Sequence, residues 1–195
     1  MSGADQSRVF EILRRFVRRS SMSERCEMCS QELAANHQHL LELVSRNLIC
    51  ACDACAILFS DQGGSKYKRV PRRIRCLVDF RITDSQWEGL MMPINMAFFF
   101  KSTPQSRVVA LYPSPAGATE SLLSLDTWGE IVFENPILQK MEVDVEALLV
   151  NRIGHARSFT NSEYYLVPID ECFKLVGLIA AAGAVCRVVR RSGRK

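Results

Sequence analysis

Cys26-Glu27-Met28-Cys29 opens a cysteine-rich stretch that continues through His37-Gln38-His39 and ends with Cys50-Ala51-Cys52-Asp53-Ala54-Cys55. Each Cys-x-x-Cys pair can form a turn that points two sulfurs at one ion, and two such pairs complete the four-thiolate shell that structural zinc prefers. The spacer between the pairs, residues 30–51, is slightly longer than the roughly 15 to 20 residues usual in zinc ribbons. The spacing therefore predicts a zinc site with four ligands: Cys26, Cys29, Cys52 and Cys55.

The same stretch contains three further side chains of ligand type: Cys50, His37 and His39. We expect residues 40–44 and 47–52 to form a hairpin. Symmetric pairing would then set His39 opposite Cys52. Because side chains alternate along a strand, His39, Cys50 and Cys52 would share one face and could approach a single centre.

Three interpretations of the surplus ligands stay open. His39 or Cys50 orients the ligands of a four-thiolate zinc, or one of them replaces a thiolate, or the surplus belongs to an iron or iron–sulfur centre. We favour zinc, because the chain lacks the Cys-x-His and Cys-x-x-His pairs of a Rieske centre and the spacing of plant ferredoxins. A closed four-thiolate zinc site has no open position for water, which argues against hydrolysis.

The composition is that of an ordinary globular protein. Of 195 residues, 48% are apolar and 24% are charged, which excludes a disordered or fibrous chain. Eight cysteines are too few to indicate a secreted disulfide scaffold, and we find no signal peptide, so we expect a cytoplasmic protein with reduced thiols. The longest apolar run, residues 175–186, is shorter than the roughly 20 residues that span a bilayer, so we expect no transmembrane segment.

The pattern along the chain divides it into three parts. Residues 1–23 are expected to form an amphipathic basic helix and a linker, 24–62 a zinc-ribbon-like module, and 63–195 an α+β domain. Within the last part, apolar and β-branched runs predict strands at residues 75–82, 94–100, 108–112, 147–150 and 164–169. Helices are predicted at residues 84–90, 119–125 and 170–182, the last with Asp170 as its cap.

Positive charge is concentrated in three blocks, of which the middle one follows the cysteines: Lys66, Lys68, Arg69, Arg72, Arg73 and Arg75. A solvated face is the simplest explanation, although a zinc ribbon with flanking arginines also fits nucleic-acid binding. Against nucleic acid, the block lacks interleaved aromatic side chains that could stack on bases, with Tyr67 as its only one.

Other candidate sites are weaker. A Ser-His-Asp or Cys-His arrangement would have to use His155, and no Gly-x-Ser-x-Gly motif supports one. Cys76 and Cys172 lie in apolar contexts typical of core residues. Residues 112–121 predict a rigid loop leading into a helix, which could bind an anion or dock a protein.

Several motifs follow one another along the chain: Glu24-Arg25-Cys26-Glu27-x-Cys29, His37-x-His39-Leu40, Cys50-x-Cys52-x-x-Cys55-x-x-Leu58-Phe59, and residues 112–121, 144–150 and 165–170. Together they resemble an uncharacterised bacterial family, found mainly in actinobacteria, whose genes lie beside those for high-affinity nickel–iron hydrogenases. The resemblance covers about residues 24–179, after which the chain departs from the family pattern.

The resemblance implies a role in making or operating a hydrogenase, and it brings no known activity with it. We therefore expect a non-enzymatic metal-binding accessory protein that contacts hydrogenase subunits or maturation proteins, with no small-molecule substrate. Its fold would be α+β, with a small zinc-ribbon-like module attached to a mixed domain. The alternatives are an iron–sulfur or other redox partner of a hydrogenase, and a zinc-ribbon nucleic-acid-binding protein. The candidate metal ligands are Cys26, Cys29, Cys52, Cys55, Cys50 and His39.

Overall fold

The computed structural model describes residues 24–60, 65–122, 124–153 and 162–192, with the backbone alone for Leu125 and for residues 182–192. In these ranges the chain forms two antiparallel sheets and four α-helices. The predicted α+β class is confirmed. The basic helix and linker expected at residues 1–23 lie outside the described ranges.

The smaller sheet carries the cysteine-rich stretch. Its strands are β1 (Gln38–Glu42), β2 (Leu48–Ala51) and β3 (Tyr67–Arg69), in the order β2-β1-β3, and helix α1 (Asp53–Ser60) follows β2. Strand β3 thus lies beyond residue 62, which is the predicted end of the zinc-ribbon-like module.

The hairpin of β1 and β2 forms, but its predicted register is wrong by two residues. His39 pairs with Cys50, and Cys52 lies beyond the end of β2. The turn is longer than expected, because the amide of Arg46 donates to the carbonyl of Glu42 at 2.8 Å and Arg46 takes a φ of 59°. A shift of two residues keeps each side chain on its face, so His39 and Cys50 still lie side by side.

The larger sheet has the strand order β4-β9-β8-β5-β6-β7. Its strands are β4 (Arg75–Cys76), β5 (Met96–Ser102), β6 (Arg107–Ser114), β7 (Gly117–Ser121), β8 (Glu146–Asn151) and β9 (Glu163–Pro168). The helices are α2 (Asp84–Gly89), α3 (Leu125–Glu134) and α4 (Ile169–Ser192), and a 3-10 helix spans Pro136–Lys140. Four predicted strands are therefore present, whereas the one expected over residues 75–82 is reduced to β4.

The helix predicted at residues 119–125 does not form as expected, because residues 119–121 belong to strand β7 and α3 begins only at Leu125. A tight turn at residues 115–116 and a φ of 110° at Gly117 reverse the chain, and Thr119 then pairs with Tyr112 of β6. Side chains along β7 alternate between half-buried and exposed, which is the pattern of an edge strand. The proline-rich segment is thus a hairpin turn, and no helix begins there to bind an anion.

The larger sheet is covered on both faces, as the alternation of three phenylalanines in β5 shows. Phe99 packs with Trp87 of α2 and Trp128 of α3, while Phe98 and Phe100 face the opposite side. That second face is covered by α4 and by the smaller sheet. The two sheets therefore share a core, which places β1 against the start of α4. None of the helices in the described ranges is long and apolar enough to cross a bilayer.

Candidate metal centre

The first cysteine pair lies in a tight turn. The amide of Ser30 donates to the carbonyl of Cys26 at 2.7 Å, and the amide of Cys26 donates to the carbonyl of Gln31 at 2.8 Å. Ser30 has a φ of 64°, the left-handed conformation that closes such a turn. This geometry directs the side chains of Cys26 and Cys29 to the same side.

The second pair lies where β2 ends and α1 begins. Cys52 directly follows the strand, and Cys55 occupies the first turn of the helix. The amide of Cys55 points at the sulfur of Cys52, 3.5 Å away, in the way that an N-cap side chain accepts from a helix amide.

The two pairs meet in space. The sulfurs of all four cysteines, Cys26, Cys29, Cys52 and Cys55, lie within 4.8 Å of one another. Cys29 Sγ and Cys52 Sγ are 3.8 Å apart, and a tetrahedron with zinc–sulfur bonds of about 2.3 Å has edges of about 3.8 Å. Cys29 is exposed and the other three are buried. The four cysteines could hold a metal ion such as zinc at the surface of the small module.

The thiols differ in how readily they lose a proton. Burial by itself would raise the pKa of Cys26, but backbone amides around its sulfur, led by that of Cys52, lower the pKa to about 6. Burial raises the pKa of Cys55 to about 12, and the neighbouring sulfurs act in the same direction. A metal ion that binds here must therefore displace protons as it binds.

The remaining two predicted ligands, Cys50 and His39, fall in a second group together with His37. One potential ligand atom from each of these three residues lies within 4.8 Å of the others. The sequence predicts His39 and Cys50 near one centre with Cys52, whereas the structure groups them with His37 in a set separate from the four cysteines. Because Cys52 lies past the end of β2, it is not beside His39.

The rings of His37 and His39 are each held by a hydrogen bond that Nδ1 donates to an oxygen. Nδ1 of His39 lies 2.6 Å from Oδ2 of Asp170 at the start of α4, and Nδ1 of His37 lies 3.0 Å from the carbonyl oxygen of Ala34. The prediction of Asp170 as a helix cap is wrong, because α4 begins one residue earlier, at Ile169. The contact of Asp170 with His39 has no signal in the sequence. The hydrogen bond to Asp170 raises the pKa of His39, although burial opposes it.

The other candidates remain apart from both groups. His155 lies outside the described residues. Cys76 is exposed on β4, and Cys172 is fully buried, where burial raises the pKa of its thiol. The raised pKa of Cys172 is the opposite of the lowered pKa that marks a reactive thiol.

The middle basic block largely forms internal ion pairs. Arg73 Nε donates to Glu146 Oε1 at 2.8 Å, Arg75 lies 3.8 Å from the same carboxylate, and Lys68 contacts Asp144. The acidic residues within 142–146 therefore neutralise part of the positive charge of this block.

Residues 25–183 match a family of unknown function, DUF5947. The chain belongs to this family. Membership in DUF5947 confirms the expectation of an uncharacterised family, and the match includes both groups of ligand-type residues. No curated protein and no solved structure matches the chain.

Proposed function

We propose that this protein is a non-enzymatic, zinc-binding accessory protein that acts by contact with the subunits or maturation proteins of a nickel–iron hydrogenase. The observation that carries the metal part of the proposal is the convergence of four sulfurs within 4.8 Å. Four thiolates match the ligand set of structural zinc and leave no open coordination position at that ion.

The role of zinc would be to fold the small module. Its ligands come from two segments, the turn at residues 26–29 and the strand-to-helix junction at 52–55, which pack in one small cluster. Two hydrogen bonds also join the turn to strand β2, which leads into the junction. The Cys50 amide donates to Glu27 Oε1 at 2.7 Å, and the Glu27 amide donates to the Cys50 carbonyl at 2.9 Å. Metal binding to such a site contributes on the order of 10 kcal/mol to folding.

Action by protein contact is supported by apolar side chains on α1. Ile57 and Leu58 are 56% and 61% exposed, and both lie on the same helix as the metal-ligand candidate Cys55. Large apolar side chains grouped on a surface are typical of protein-binding sites. Folding of the metal site would therefore also present this helix to a partner.

The choice of a hydrogenase as partner rests on the sequence resemblance, because neighbouring genes of similar proteins suggest a shared process. The ion pairs of Lys68, Arg73 and Arg75 favour this choice over nucleic acid, since cations engaged with carboxylates are less able to neutralise phosphates.

The test combines metal analysis with a binding assay. Protein purified without oxygen should contain zinc and show no visible absorption band, and it should co-purify with hydrogenase subunits or maturation proteins co-expressed from the same organism. If the protein instead contains iron and sulfide and shows a visible absorption band, the site is a redox centre and not a zinc site. Failure to bind any of these proteins would contradict the hydrogenase part of the proposal.

A further inference from the structure

His37 contains a buried nitrogen that has no partner. Its side chain is only 8% exposed, and Nε2 forms no hydrogen bond within the described part of the chain. A buried polar atom without a partner costs free energy, and native proteins contain few of them. An atom of this kind has room for one more partner, which can be a water molecule or a metal ion.

The hydrogen bonds of the two rings decide which nitrogen is free to bind a metal. The Ala34 carbonyl and the Asp170 carboxylate can only accept, so Nδ1 of His37 and Nδ1 of His39 each carry a proton. In a neutral imidazole the lone pair then lies on Nε2. Metal-binding histidines have this arrangement, in which the second ring nitrogen donates to a carbonyl or a carboxylate.

The hairpin brings a sulfur to the same place. His37 and His39 are two residues apart and therefore project from one face, and Cys50 pairs with His39 across the hairpin. The two rings meet edge to face with centroids 5.0 Å apart. Ligand atoms of the three residues lie within 4.8 Å, so movements of about 1 Å would meet bond lengths of about 2.1 Å to nitrogen and 2.3 Å to sulfur.

A cleft adjoins the histidines. It has a volume of about 260 Å³ and is lined by both rings together with Asp170, Arg72 and residues near the end of β9. This volume accommodates a water molecule or a small anion beside a bound ion.

We propose that His37, His39 and Cys50 form a second metal site for a divalent transition-metal ion such as Zn²⁺, with an exchangeable fourth position toward the cleft. Two imidazoles and one thiolate suit zinc and its borderline-soft neighbours rather than magnesium or calcium. Three protein ligands with one open position are the pattern of reactive zinc sites, in contrast to the closed four-thiolate site. This proposal goes beyond the proposed function, which needs only the four cysteines.

Zinc stoichiometry tests the proposal with matched cysteine variants of the full chain. After saturation with Zn²⁺ and removal of the excess, mass spectrometry should find about two ions per wild-type chain and about one per Cys50→Ser chain. The control is Cys76→Ser, which changes an exposed cysteine outside both groups and should keep the wild-type zinc content. His37→Gln should lose the same ion as Cys50→Ser, with circular dichroism confirming that both variants are folded.

Two outcomes would overturn the second site. In the first, the wild type and Cys50→Ser contain equal amounts of zinc, which would show that Cys50 holds no ion. In the second, the wild type contains one ion per chain and Cys50→Ser contains none, which would show that Cys50 ligates the ion of the four-cysteine site. The proposed function fails separately, through Cys52→Ser, if that variant keeps the wild-type zinc content.

Discussion

Nδ1 of His39, in the second residue of β1, lies 2.6 Å from Oδ2 of Asp170, which is 131 residues further along the chain. The contact joins the small sheet to the start of α4. Asp170 is itself anchored, because its Oδ1 accepts a hydrogen bond from the amide of Glu171 at 2.9 Å. Helix α4 thus orients a ring of the smaller sheet.

Asp170→Asn should weaken zinc binding at the second site while leaving the four-cysteine site intact. The amide keeps the size of the carboxylate but is a weaker acceptor and can turn its NH2 group toward the ring. Removing such an orienting partner typically lowers metal affinity 10- to 100-fold. Competition with a zinc chelator measures the affinity, with Asp126→Asn on α3 as the surface control. Unchanged affinity would show that Asp170 does not orient a metal ligand.

Cys52→Ser should remove the metal of the four-cysteine site and unfold the small module. A serine hydroxyl is a poor zinc ligand at neutral pH, and three thiolates do not replace the lost bond. Zinc analysis and limited proteolysis between residues 24 and 60 check this, with Cys76→Ser as control. A fully zinc-loaded, protease-resistant Cys52→Ser protein would exclude Cys52 as a ligand.

Phe99→Ala should destabilise the larger domain by about 3–5 kcal/mol, because it leaves a cavity where a fully buried ring was. The ring stacks on Trp128 at a centroid distance of 5.2 Å and contacts Trp87 edge to face. Urea unfolding followed by tryptophan fluorescence measures the change. Phe133→Ala, at a side chain that is 85% exposed, is the control and should cost little. A similar effect at both positions would contradict the packing described for this core.

Glu146→Gln should make the stability less sensitive to acid. Burial would raise the pKa of Glu146, but the hydrogen bond from Arg73 and the Glu142 amide, with the charges of Arg73 and Arg75, outweigh it and lower the pKa. A lowered pKa stabilises the fold above the unfolded value of about 4.3, and this contribution is lost as the pH falls through the folded value. Unfolding curves between about pH 6 and 3 should therefore decline less steeply in Glu146→Gln. If the stability of the wild type and of Glu146→Gln falls equally steeply with pH, the ion pair of Glu146 with Arg73 does not contribute to acid sensitivity.

Leu58→Glu should reduce binding to the proposed hydrogenase partner without changing zinc content. A charge placed on the exposed face of α1 opposes burial of that face in an interface. Co-purification with the candidate partner measures the binding, which should be at least several-fold weaker than in the wild type. Phe133→Glu, on an exposed apolar side chain of α3, is the control and should bind normally. Equal binding by both variants would place the contact elsewhere.

The α+β class and the convergence of the two Cys-x-x-Cys motifs were predictable from the sequence, because they depend on local spacing and on strand patterns within short windows. Membership in an uncharacterised family followed instead from the resemblance of several motifs along the chain. The sequence could not predict the register of the β1–β2 hairpin, since a shift of two residues preserves the alternation and leaves the same faces apolar. It also predicted a helix over residues 119–125, where Gly117 and the turn before it form a hairpin that local propensity did not reveal.

Which surplus ligands belong together was decided by tertiary structure. The pairing of His39 with Cys50 depends on how the turn at Arg46 closes, and the orientation of His39 depends on Asp170, which reaches it only because α4 and the small sheet pack on the same face of the larger sheet. The four cysteines could be grouped from the sequence because each pair is local and a tetrahedral ion needs both pairs. The second group depends on contacts between distant residues, which no local spacing specifies.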